Sequence, residues 1–307
     1  MRILIYGAGV IGCTYGWQLE KSGHNVSVLV RKNKKQFIKE NGIRIHCTDF
    51  RNGNKIVENV VFRPKVISTL SASNDFEYII ITTNSLHSEE VLPVLKESSG
   101  KAHIVFFQNI WQDDLESIRK YLVPEQYFFG FPFMAGGGRD KGTIHSIISG
   151  SKYSKTMLGE INGKVTFRIQ KIADAMSEAG MKPFISNQII TWLIPHYAFI
   201  ATLSIGIIKA GGTMKSFLDN PQIVKATILS IRNNFRICSR VGIDPKREKV
   251  NKLYYLPLFI SMPIVRKVFS NIAMQNMFDG FIRDSTDEVE TMMKKIMSTS
   301  STYRTNP

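Results

Sequence analysis

The sequence is short of cysteine, of acidic residues and of long apolar runs, and each shortage excludes something. Its three cysteines, Cys13, Cys47 and Cys238, are an odd number with no metal-type spacing. Neither a disulfide framework nor a metal site is therefore expected, and a reducing, cytoplasmic setting fits best. The longest apolar run, residues 192–208, is interrupted by Pro195, His196, Thr202 and Ser204. A membrane span needs about 20 predominantly apolar residues, so a buried helix is expected instead. The apolar start at residues 3–6 meets Gly7 too early for the hydrophobic region of a signal peptide. No internal repeat is visible, and the Ser/Thr run at residues 298–302 is expected to be a frayed tail.

Scarcity of acid leaves a large positive excess: 40 Lys and Arg against 25 Asp and Glu, or 40 − 25 = +15. Such an excess can serve nucleic acid, an anionic surface, a phosphorylated ligand, or simply solubility. Nucleic-acid binding would need the cations gathered on one face with aromatics able to stack, and here they are spread along the chain. Neither a nucleic-acid nor a membrane partner is expected. With 43% hydrophobic and 21% charged residues, the 307-residue chain has the make-up of a globular protein with room for two modest cores.

The first part alternates short β-rich runs with helical stretches, the pattern of a parallel α/β sheet. Strands are predicted at residues 2–6, 25–30, 78–82, 103–108 and 127–133. A hairpin is predicted from residues 43–47 and 56–62 about the turn at Arg51-Asn52-Gly53-Asn54. A second is predicted from residues 143–148 and 156–160, with Gly150 in the connection. An amphipathic helix over residues 165–179 stops at Gly180. From Ile189 helical periodicities take over. The expected class is α/β: a Rossmann-type domain over residues 1–185 and a mainly helical domain over residues 186–307. The apolar run at residues 254–260 reads equally as a core helix bent by proline or as a subunit interface, so a homodimer is one expectation.

Gly7-Ala8-Gly9-Val10-Ile11-Gly12 follows the first predicted strand and opens a helix, the context in which a glycine motif means a dinucleotide site. The first glycine allows the tight turn, the second lets backbone approach a pyrophosphate, and the third permits close helix–strand packing. The helix N-terminus adds N–H donors and positive potential. An NAD site should carry an acid at the end of the second strand to hold the ribose 2′-hydroxyl. That end reads Val30-Arg31-Lys32-Asn33-Lys34-Lys35, four cations and no acid. A guanidinium at Arg31 beside Lys32 suits a 2′-phosphate, so NADP(H) is the expected cofactor. The alternative is a solvated basic loop.

These residues, with residues 78–85 after the third strand, Phe107-Gln108-Asn109 at the fourth, residues 130–135, Gly142-Thr143-Ile144-His145, Trp192 and Asp287-Glu288, resemble the ketopantoate reductase (2-dehydropantoate 2-reductase) family along nearly the whole chain. The resemblance implies an NADPH-binding Rossmann domain, a helical domain, and a substrate cleft between them. It implies reduction of the 2-keto group of ketopantoate, a step of pantothenate biosynthesis, with a lysine on the first helix of the second domain protonating the developing alkoxide. It also places Glu288 near the ribose and the substrate; Ala135 is a further cofactor-site candidate, as are Asn84 and Asn109 at the C-terminal ends of predicted parallel strands.

The sequence departs from the family where the chemistry is concentrated. The lysine position two residues after Trp192 holds Ile194, which has no proton to give. Polar positions one and two turns on fall at Ala198 and Thr202, Asn84 replaces a lysine, and Ile110 replaces a glycine. The remaining catalytic candidates are Glu288 and His196. Glu288 could equally be a surface acid among Asp284, Asp287 and Glu290. His196 lies two residues from Ile194, roughly 200° around a helix, and could equally be a core histidine. Asn84 and Asn109 could donate to cofactor or substrate, or merely cap loops. Two functions stay open: an NADPH-dependent reductase of a small 2-keto acid, and a dinucleotide-binding protein of the same fold that has lost the chemistry.

Overall fold

A computed structural model describes residues 1–305, with side chains through Ser301. The chain divides into two compact units, Met1–Asn109 with Asp114–Ile189, and Ile110–Asp113 with everything from Ile190 on. The short Ile110–Asp113 segment, with Trp111 fully buried, thus belongs to the helical unit although it lies far from it in sequence.

In the first unit, β1 (Arg2–Tyr6), β2 (Asn25–Leu29), β6 (Tyr78–Ile81), β7 (His103–Phe107) and β8 (Tyr127–Pro132) are parallel, with β5 (Lys65–Ile67) outside β2. The order β5-β2-β1-β6-β7-β8 is that of a doubly wound dinucleotide fold. Beyond β8 come β11 (Thr156–Gly159), antiparallel to it, and β12 (Pro183–Ile185). The central strands are buried on both faces and read as unbroken Ile, Val and Phe runs, which is why alternation is absent there. Helices α1 (Val10–Lys21), α2 (Lys32–Asn41), α3 (Ser88–Ser98), α4 (Gln112–Tyr121) and α5 (Phe167–Glu178) connect the strands.

The other sheet of this unit has the order β4-β3-β10-β9. The hairpin of β3 (Ile43–Asp49) and β4 (Ile56–Phe62) forms as predicted. The second hairpin does not. β10 (Thr143–Ile148) pairs instead with β9 (Ala135–Asp140) and with β3, while β11 joins the main sheet. The reversal sits at Lys141-Gly142, where φ is +44° and +77°. Two positive φ values in a two-residue loop match the twist of antiparallel strands. Arg51, in the β3–β4 turn, ties this sheet down: it is paired with Asp49 at 2.7 Å and donates to the Ala179 carbonyl and the Gln18 amide oxygen, both at 2.9 Å.

The helical unit holds α6 (Ile189–Lys209), α7 (Met214–Leu218), α8 (Pro221–Arg240), α9 (Leu258–Phe269), α10 (Ile272–Asp284) and α11 (Thr286–Thr305). α6 is the long apolar helix expected from the sequence; Pro195 does not interrupt it, and most of it is buried. α11 runs through residues 298–302, expected from the sequence to be a frayed tail. The Trp111 indole N–H donates to Thr299 Oγ1 at 2.9 Å and anchors that end.

Candidate functional site

Carboxyl ends of parallel strands are where open α/β sheets bind ligands, and the glycine loop lies there, between β1 and α1. Gly7 has φ +120°, which a side chain would strain. A Cβ on Gly9 would meet nothing within 4 Å, so the backbone at the start of α1 faces open space. A Cβ on Gly12 would stand 2.1 Å from the Gly7 carbonyl oxygen. Gly7 and Gly12 therefore have the turn and packing roles assigned from sequence, and Gly9 leaves room beside the backbone. The first N–H groups of α1, at Val10, Ile11 and Gly12, begin the helix with no acid in its first turn to compete for them. Ala8 lies in the same loop, half-buried.

Neighbouring strands brace this loop. Thr82, just past β6, donates to the Gly7 carbonyl at 2.9 Å. Gln108, just past β7, donates to the Thr83 carbonyl at 2.8 Å. Arg139, on β9, donates to the Ala8 carbonyl. Sequence reasoning missed Arg139 because only the unexpected β9–β10 hairpin carries it 131 residues back along the chain. Its guanidinium adds positive charge at the loop. Arg139→Ala is expected to weaken dinucleotide binding by about tenfold, the worth of one charge-assisted contact, with thermal stability unchanged because the residue is exposed. Fluorescence titration with NADPH reads the first and a melt the second.

Arg31 caps α2 two residues beyond β2, whose last residue, Leu29, pairs with Tyr6 of β1 immediately before Gly7. Arg31, Lys32, Lys34 and Lys35 are all exposed, and none forms an ion pair among the described residues. Asn84 is committed locally: its Oδ1 accepts from the Leu86 N–H at 2.9 Å and caps a 3-10 turn. Asn109 follows β7, half-buried. Ala135 opens β9, paired with Ile148 and buried in the core, so its backbone rather than its methyl is what a ligand could meet.

The other candidates lie in the helical unit. Ile194 is fully buried in an apolar cluster with Trp111 and Tyr197. Ala198 is fully buried too. Thr202 donates to the Ala198 carbonyl at 2.6 Å and accepts from the Asn234 amide at 2.7 Å, which commits its hydroxyl inside the unit. Glu288 is buried in the first turn of α11, while Asp284, Asp287 and Glu290 are exposed; it is not the surface acid that its neighbours suggest. A carboxylate there is favoured by the N-terminal end of the helix dipole.

His196 stacks on Trp192, ring centroids 4.5 Å apart at 14°. Burial pushes its imidazole down to about 3, so it is neutral at pH 7 and holds no imidazolium proton to donate. The unfolded histidine, near 6.5, takes up a proton first as the pH falls. Stability is therefore lost from about pH 6.5 downward, on the order of 2 kcal/mol by pH 5. His196→Phe keeps the stack and should flatten that slope in denaturant titrations at pH 7 and pH 5.

The model of the family described as ketopantoate reductase PanE/ApbA matches residues 3–163, more than half of the chain. This chain belongs to the ketopantoate reductase family. That family is one of dinucleotide-binding oxidoreductases of the 2-dehydropantoate 2-reductase type. The uncharacterised oxidoreductase YkpB of Bacillus subtilis is 27% identical over 202 residues, 66% of this chain and 62% of its own length. The 2-dehydropantoate 2-reductase of Lactococcus lactis is 25% identical over 194 residues, 62% of this chain and 58% of its own. The chain thus spans less than two thirds of the length of these relatives. Among solved structures, D-mandelate dehydrogenase with NADH and anilino(oxo)acetate matches over 99% of this chain and 93% of its own, with TM-score 0.71 and 19% identity. The 2-dehydropantoate 2-reductase of Methylococcus capsulatus matches over 100% and 98%, with TM-score 0.62 and 19% identity. At that identity the likeness is one of fold.

Proposed function

We propose that this protein is an NADPH-dependent oxidoreductase that reduces the keto group of a small 2-keto acid, ketopantoate or a relative of it. The observation that carries the cofactor choice is the acid-free, four-cation end of β2 beside the glycine loop. NAD would leave those cations without a 2′-phosphate and would miss the acid its ribose hydroxyl needs. Gly7 to Gly12 and the N–H groups opening α1 would hold the pyrophosphate, and Arg139 steadies the loop. A bound nicotinamide dinucleotide would supply hydride to the carbonyl carbon.

Proton delivery is where the family chemistry has changed. With Ile194 at the lysine position and His196 neutral, the titratable candidate left is Glu288, buried in the first turn of α11. The buried Ile194 and the committed Thr202 also favour a second reading, a dinucleotide-binding protein that no longer turns over a keto acid. NADPH oxidation with ketopantoate and with a panel of aliphatic and aryl 2-keto acids separates the two. Turnover that Glu288→Gln abolishes while NADPH binding persists supports the reductase. NADPH binding with no turnover on any member, restored for ketopantoate by Ile194→Lys, supports the second.

A further inference from the structure

α9 turns an apolar face to solvent. Ser261, Val265 and Phe269 are buried and seat the helix in its unit. At about 100° per residue, Phe259, Ile260 and Ile264 lie around the side away from Val265. All three are exposed, Phe259 by 79%, and so is Leu256 just ahead of the helix. The run at residues 254–260, which the sequence reads as core or interface, therefore splits: Tyr254 is buried and Tyr255 and Leu258 pack against the core, while Leu256, Phe259 and Ile260 stand out from the surface. Contiguous exposed apolar side chains of this kind mark a surface that is covered in use.

The charge around the face says by what. Arg266 and Lys267 occupy the last turn of α9, Lys249 and Lys252 precede it, and no Asp or Glu occurs between Glu248 and Asp279. Arg266 already faces Asp219 at the end of α7, but Lys249, Lys252 and Lys267 form no ion pair among the described residues, and a second copy of the same face would bring these cations together on a chain already at +15. An anionic bilayer accepts both features: apolar side chains enter the headgroup boundary while long cationic side chains reach the lipid phosphates. We infer that the outer face of α9 docks this protein on the surface of an anionic membrane.

Co-sedimentation of the full chain with vesicles tests this, using phosphatidylcholine alone and phosphatidylcholine with phosphatidylglycerol. Binding is expected to be at least about tenfold tighter to the anionic vesicles, since each cation near the surface adds to it, and to weaken with salt. Phe259→Ser with Ile264→Ser should lower it by about tenfold or more, two apolar side chains being withdrawn, with the melting temperature unchanged. Phe259→Trp keeps the face apolar and should show blue-shifted emission with anionic vesicles only. Absence of binding by the parent protein, unchanged binding by the double variant, or unshifted tryptophan emission would overturn the inference. So would a dimer in solution that Phe259→Ser dissociates, which would assign the face to a second copy.

Discussion

Gly9→Ala is expected to bind NADPH about tenfold or more weakly than the parent protein while unfolding at the same temperature, whereas Gly12→Ala loses both binding and stability. The contrast comes from what each new methyl meets. At Gly9 it meets nothing within 4 Å, and the backbone there is at φ −80°, which alanine adopts freely. Its cost appears only when a pyrophosphate approaches. At Gly12 the methyl would lie 2.1 Å from the Gly7 carbonyl oxygen, 2.5 Å from Thr82 Oγ1 and 2.8 Å from Ile5 Cγ2. The first of these is backbone, so α1 must lift from β1, at a cost of about 3 kcal/mol or more. Thermal melts and NADPH titrations of the two variants read both quantities. A Gly9→Ala protein that binds NADPH as tightly as the parent would show that no phosphate comes to this loop.

Replacing Arg31 and Lys32 together with alanine should lower NADPH affinity by about a hundredfold and leave NADH affinity within a few-fold, because two charge-assisted contacts to phosphate are removed. Both side chains are exposed and unpaired with any described acid, so the fold should not register their loss. The parent's preference for NADPH should shrink as salt is raised, since contacts at an exposed site are screened. Tighter binding of NADH than NADPH by the parent protein would remove the basis for assigning NADP, whatever the variant does.

The glycine loop and the basic end of β2 were legible because their requirements are local. Gly7, Gly9 and Gly12 each answer a backbone need within six residues, and Arg31 follows its strand directly. β9 was not legible. Ala135-Gly136-Gly137-Gly138-Arg139-Asp140 carries no strand-forming side chains, yet it pairs with all of β10 through the backbone once Lys141-Gly142 has reversed the chain. The predicted partner of β10, residues 156–160, has the stronger strand pattern and went to the larger sheet, where it pairs between β8 and β12. Strand propensity says that a segment will pair, but hardly with what.

Glu288 shows the same division on a helix. Asp284, Asp287, Glu288 and Glu290 look alike in sequence, and only packing decides that Glu288 is the one removed from water. For α9 the apolar pattern was plain, but which of its residues face the core depends on how the helix is seated, and that leaves Phe259 and Ile264 outside.

By itself, the sequence determined the strand–loop–helix that carries the glycine motif and the charge at the end of β2, because these depend on residues close together along the chain. Tertiary structure alone decided that Arg139 reaches the glycine loop, that Thr202 spends its hydroxyl on Ala198 and Asn234, that Glu288 is buried, and that α9 leaves an apolar face uncovered. Each of these turns on which distant segment pairs or packs, a choice made by the free energy of burying whole faces and not by any residue's own preference.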